Sequence, residues 1–222
     1  SITREVAAHG STLDEHPEAY DYISSYLSDK VVSDYLSLIR EAKSKSSIPI
    51  IASIACHTDG KWEEFATQIE AAGADALELN VMSLCTRKSY TLGDFERTHE
   101  AIVSNVSSKI KIPLIVKIGS NISNPVALVD SLYARGAKAV VLFNRFYPTD
   151  IDIDKMSFTM SNPFTSSSDL SQSIRWAGII SASVPQIPVA VSGGVEGWAE
   201  VVKSILSGAT AVEVVSSIMK NG

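Results

Sequence analysis

Residues 48–80 run from Ile48-Pro49-Ile50-Ile51, through a helical stretch, to Gly73-Ala74-Asp75-Ala76-Leu77-Glu78-Leu79-Asn80, and this segment decides the fold. Proline followed by a short apolar run predicts a buried strand, because a strand entrance tolerates the missing N–H. Glycine just past a helix end adopts the left-handed conformation that caps the last carbonyls, so Gly73 closes a helix and opens the next strand. Between them, Trp62, Phe65, Ala66 and Ile69 recur at helical spacing. The segment therefore reads strand, helix, strand.

The same doublet returns twice. Ile112-Pro113-Leu114-Ile115 leads to Gly136-Ala137-Lys138-Ala139, and Ile187-Pro188-Val189-Ala190 leads to Gly208-Ala209-Thr210-Ala211. Helical spacing also appears at Phe95, His99, Ile102 and Val106, and at Trp198, Val201, Val202 and Ile205. Alternating strands and helices predict a parallel α/β sheet, and continuously apolar strands predict cover on both faces. A repeat of roughly 65 to 75 residues favours a (β/α)8 barrel over a doubly wound sheet.

Three doublets supply six strands, whereas this barrel closes with eight. Residues 1–222 are accordingly read as a single barrel domain holding strands three to eight. The first two strands are expected before Ser1 and the last helix beyond Gly222. The first fifty residues show helical spacing at Val31, Val32, Tyr35, Leu36 and Ile39 instead of a strand.

Composition narrows the function. Apolar residues make up 45% and charged residues 20%, an ordinary globular balance, and the net charge of −6 offers no basic stripe for nucleic acid. The apolar runs are far shorter than the roughly 20 residues of a membrane span. Cys56 and Cys85 are the only cysteines, too few for a disulfide framework, and no ligand spacing predicts a metal site. A small-molecule substrate and a cytoplasmic location are the expectation.

In such barrels the chemistry gathers at the C-terminal ends of the strands. Those ends carry Ser53 to His57, Asn80, Lys117, Asn144-Arg145, Ser192-Gly193-Gly194 and Ser216-Ser217. Gly193-Gly194, ahead of a helix starting near Gly197-Trp198, offers bare backbone N–H groups to a phosphate, with Ser216 and Ser217 beside it. The alternative is a simple glycine turn. Lys117 can stabilise negative charge on a ligand or pair with a strand-end carboxylate such as Glu78. Arg145 can hold a substrate carboxylate or bridge to Asp150 or Asp152. Asn80 and Asn144 can each read a heterocycle edge or cap a strand end. His57 can relay a proton. The excursion 146–168 reads as a lid or interaction loop, and Ser166 to Asp169 as the cap of the helix through Ile174 and Ile180. Its Asp150-Ile151-Asp152-Ile153-Asp154 run lacks the Gly and distal Glu of a calcium loop.

Taken in order, Ala74 to Asn80, Val116-Lys117-Ile118, Leu142-Phe143-Asn144, Val191 to Val195 and Leu206 to Ser217 resemble the dihydroorotate dehydrogenase family and its relatives the dihydropyrimidine dehydrogenases, from about Ser47 to Gly222. The resemblance implies FMN held by Lys117, Asn144, Gly193, Gly194, Ser216 and Ser217. It also implies a dihydropyrimidine substrate such as dihydroorotate, contacted by Asn80, Asn144 and Arg145, hydride transfer to the flavin, and a homodimer. The family's general base stands three residues after the strand-four asparagine, a slot that Ser83 occupies here, with Cys85 two residues further on. The Pro-Asn that follows the base in the family is absent. Two other readings stay open from the residues: an isomerase or aldolase with Lys117 as Schiff-base or proton-transfer lysine, and a flavin-binding homologue without turnover.

Overall fold

The structure, a computed structural model, describes residues 17–55, 61–82, 84, 86, 88–145, 149–160 and 164–221. A long helix, α1 (Pro17–Lys45), leads into β1 (Ile51–Ile54) and α2 (Lys61–Ala71). Then follow β2 (Ala76–Val81), α3 (Asp94–Ser107), β3 (Leu114–Gly119), α4 (Pro125–Ala134) and β4 (Ala139–Asn144). After a hairpin, β5 (Thr149–Asp152) and β6 (Ser157–Met160), come α5 (Leu170–Ser183), β7 (Val189–Ser192), α6 (Trp198–Leu206), β8 (Ala211–Glu213) and α7 (Ser216–Asn221).

Six strands form one parallel sheet in the order β1-β2-β3-β4-β7-β8. The order follows the chain without reversal, which is the arc of a barrel; a doubly wound sheet would switch direction partway. Each proline stands where the sequence predicts a strand entrance, and Pro113 and Pro188 immediately precede their strands. Their carbonyls accept from Leu77 N and Val140 N, each at 3.0 Å. Gly73, Gly136 and Gly208 close their helices at φ 94°, 108° and 108°.

The register divides the strands into two faces. Leu77, Leu79, Val116, Ile118, Val140, Leu142, Val189 and Val191 are buried on the helix side. Ser53 pairs with Glu78, Asn80 with Lys117, Lys117 with Val141 and Ser192 with Glu213, so these residues share the concave side. Strands lie about 4.8 Å apart, so β2 and β8, with three strands between them, would stand roughly 19 Å apart in a flat sheet. Glu78 and Glu213 nevertheless stand close enough to act on one another's ionisation. The arc is curled tightly enough to bring opposite strands into contact.

One detail departs from the sequence reading. The excursion after β4 contains an antiparallel hairpin, and Asp152 serves its turn by accepting from Asp154 N at 3.1 Å and Lys155 N at 3.0 Å. Among the described residues no group of three His, Cys, Asp or Glu is placed to hold a metal. At the start of the sheet, Tyr35 of α1 caps the edge strand, its hydroxyl donating to Ser53 O at 3.0 Å and accepting from Ser53 N at 2.9 Å. Among the described residues no helix is long and apolar enough to cross a membrane.

Candidate active-site cleft

The strand ends surround a cleft of about 380 Å³, within the usual size of a small-molecule site. Asn80, Lys117, Asn144, Arg145, Gly193 and Ser216, each singled out in the sequence, all line it. A smaller cavity of about 110 Å³, lined in part by Asn144, Arg145, Thr165 and Asp169, opens beside it.

Asn144 Nδ2 donates to Asn80 Oδ1 at 2.5 Å, and its Oδ1 accepts from Arg145 N at 2.7 Å. A shift in register between Ile118 and Gly119 sets Asn144 opposite Gly119. The two amides, 64 residues apart in sequence, thus form one rigid polar edge. Lys117 is largely buried, its side chain 14% exposed, and its Nζ donates to Glu213 Oε2 at 2.5 Å. The partner suggested from sequence was Glu78; the curl of the sheet selects Glu213 instead. Arg145 bridges to Asp169 at 3.4 Å and also reaches Phe164 O at 3.4 Å, so its ion pair lies at the cap of α5 rather than with Asp150 or Asp152.

The glycines play different parts. Gly193, at φ 88°, faces the cleft, and a Cβ added there would meet nothing closer than Thr165 Cγ2 at 3.8 Å. At Gly194, φ 73°, a Cβ would stand 2.6 Å from both Ser166 O and Leu170 N. Gly194 is therefore required by the loop packed over it, whatever binds in the cleft. Ser216 Oγ accepts from Thr165 N at 3.1 Å and lies 3.0 Å from Thr165 Oγ1, forming a hydroxyl pair on the rim. Ser217 Oγ donates to Val195 O and Glu196 O, which ties down the turn after β7. The start of α6 is capped from within, since Gly197 N donates to Glu200 Oε2 at 3.1 Å. Of the two glycines, Gly193 is the one that lines the cleft. Ser83, Cys85 and His57 lie outside the described residues.

The sequence reading missed Thr165 and Glu213 as cleft residues. Thr165 sits inside the long excursion with no local pattern to mark it, whereas a carboxylate within the apolar run Ala211-Val212-Glu213-Val214-Val215 was a visible signal.

Glu78 is 6% exposed. Burial first, then the hydrogen bond and charge of Glu213, push its carboxyl up to about 7 from an ordinary 4.5, against the pull of Ser53 and Lys117. For Glu213 burial acts in the same upward direction but is outweighed by the Glu78 hydrogen bond, the Lys117 ammonium and Ser192, so it stays below the ordinary range. The folded state thus binds a proton at Glu78 more tightly than the unfolded chain. Its stabilising effect is complete below 4.5 and is lost as the pH rises to about 7. Urea unfolding at about pH 5 and about pH 8 is expected to show a loss on the order of 2–3 kcal/mol from this group. Glu78→Gln should flatten that dependence, and an unchanged slope in the variant would show that Glu78 is not its source.

Six sequentially ordered parallel strands, with polar side chains at their C-terminal ends around a small-molecule cleft, are the arrangement of a (β/α)8-barrel domain, of which the described residues supply six strands. The dihydroorotate dehydrogenase family model matches residues 28–222, and the chain belongs to that family. It is 28% identical over 192 residues to the catalytic subunit of dihydroorotate dehydrogenase B (NAD(+)) of Thermoplasma volcanium, covering 84% of this chain and 61% of the relative. The corresponding subunit of Methanosarcina mazei is 30% identical over 191 residues, covering 83% and 60%. A crystal structure of DHODH from Eimeria tenella in complex with ferulenol shares the fold, with a TM-score of 0.64 at 17% identity, over 86% of this chain and 59% of that one. The chain spans about 60% of the length of the curated relatives it matches.

Proposed function

We propose that the cleft binds FMN and that the protein oxidises a dihydropyrimidine, with dihydroorotate as the substrate implied by its family. The observation that carries this reading is the buried Lys117 ammonium, held by Glu213 beside the Asn80–Asn144 amide pair. The rim fits the phosphate of such a cofactor. Gly193 leaves open the space that a side chain would fill, and the Thr165 and Ser216 hydroxyls stand next to it. FMN, when bound, supplies a ring that accepts two electrons as hydride.

The chain's own residues do the rest. Lys117 provides fixed positive charge at the cleft floor, where negative charge can be stabilised without reorganisation. Asn80 and Asn144 present one donor and acceptor edge for a heterocycle. Arg145, on the wall shared by both cavities, suits a substrate carboxylate. Ser83 is the proton acceptor that the family resemblance implies, since it fills the slot three residues after Asn80, and it needs a partner to take its proton onward.

The ion pair also favours this reading over an aldolase. A Schiff-base lysine attacks as a free amine and is typically set in an apolar pocket or beside another cation. Lys117 instead stands against a carboxylate. A homodimer and a cytoplasmic location belong to the same proposal.

The purified protein should be yellow and release about one FMN per chain on denaturation, in keeping with a single site. Colourless protein that fails to quench added FMN fluorescence would overturn the flavin reading. Flavin-loaded protein that dihydroorotate does not bleach would overturn the substrate alone.

A further inference from the structure

At the cleft floor the concave face carries a polar cluster that reaches down to Glu78, a carboxyl the proposed chemistry leaves unused. Glu78 of β2, buried, and Glu213 of β8 stand close enough to act on one another's ionisation, and two carboxylates so placed cannot both ionise cheaply, which favours one proton held between them. Ser53 Oγ of β1 donates to Glu78 Oε1 at 2.6 Å, and Ser192 of β7 stands in register with Glu213. Lys117 of β3 donates to Glu213 from the cleft side. β4 presents Val141 in register with Lys117 and adds no charge. Lys117 is the cation that acts on both carboxyls. With its proton, the cluster of two carboxyls and one ammonium is neutral; without it, the cluster carries one negative charge at the cleft floor.

We propose that Glu78 and Glu213 form a one-proton site beneath Lys117. Glu213 is the positioning residue for the Lys117 ammonium, and Glu78 takes up a solvent proton when negative charge arrives above it. The coupling follows from shared attraction. A second anion over Lys117 competes with Glu213 for the same ammonium, which makes the ionised pair less favourable and the protonated pair more so. By linkage, charge in the cleft and a proton on the pair strengthen each other. When two electrons enter a flavin bound there, the added charge is offset by a new O–H bond at Glu78, its proton drawn from water. The one-proton site stands on the cluster alone, whereas its coupling to reduction rests on the FMN reading.

Two measurements separate the parts. Infrared spectra of the purified protein should contain a carboxylic-acid carbonyl band near pH 6 that disappears by about pH 9, consistent with a single titrating pair. Glu78→Gln should lack the band. So should Glu213→Gln, since Glu78 then ionises against Lys117, and this second variant guards against misfolding of the first. A wild-type spectrum without a band that both substitutions remove overturns the one-proton site. Dithionite reduction of the FMN-loaded protein near pH 8, followed with a pH indicator, should take up about one proton more per flavin in wild type than in Glu78→Gln. Equal uptake overturns the coupling. If the protein takes up no FMN, the proposed function fails, and the infrared band still decides the proton site.

Discussion

Alanine at position 83 is expected to slow the bleaching of bound flavin by dihydroorotate by roughly 100-fold or more, the usual contribution of a general base. Cys85→Ala should change it little. The difference rests on the family resemblance, which implies a base three residues after the strand asparagine, here Asn80. Ser83 keeps that offset and Cys85 overshoots it. Lys117→Ala in the same rapid-mixing experiment should also bleach much more slowly, because the cleft floor would then hold Glu213 without its counter-charge. A large loss in Cys85→Ala with none in Ser83→Ala would reverse the assignment of the base.

The second large effect separates two adjacent glycines. Gly194→Leu should destabilise the fold by about 3 kcal/mol or more, since it combines a left-handed backbone with overpacking. Its Cβ would overlap the backbone at Ser166 and Leu170, 2.6 Å away, so the loop that carries Thr165 must move. For a chain of this size such a loss lowers the melting temperature by roughly 10 °C. Flavin retention should fall with it. Gly193→Leu meets open space at the same backbone strain, so its melting temperature should drop by only a few degrees. Its side chain would project into the cleft and displace the phosphate, so flavin should be lost from a folded protein. Thermal unfolding and bound-flavin content measured on both variants test this. Full flavin content in Gly193→Leu would remove the rim from the proposed site.

Much of the architecture was legible because it is written in local patterns. Proline before an apolar run and glycine after a helical one mark the entrance and exit of each unit, and both act within a few residues of themselves. That was enough to order the six strands of the sheet, place the long helix before them, and name Asn80, Lys117, Asn144, Arg145, Gly193 and Ser216 at strand ends that line one cleft. The hairpin after β4 was not legible, since its strands are short and polar with little burial to pattern them. The division of labour between Gly193 and Gly194 was hidden as well, because it depends on a loop that packs back over one of them.

The amino-acid sequence by itself determined the repeating strand-helix unit and the residue types at each strand end, because period and capping depend only on neighbours along the chain. Partner choice belonged to the tertiary structure. Lys117 and Glu213 are 96 residues apart, and Glu78 reaches Glu213 across the interior of the arc. No local pattern encodes such contacts. They arise because the sheet curls, turning inward-facing positions on separate strands into neighbours in a space where an unpaired charge would be costly.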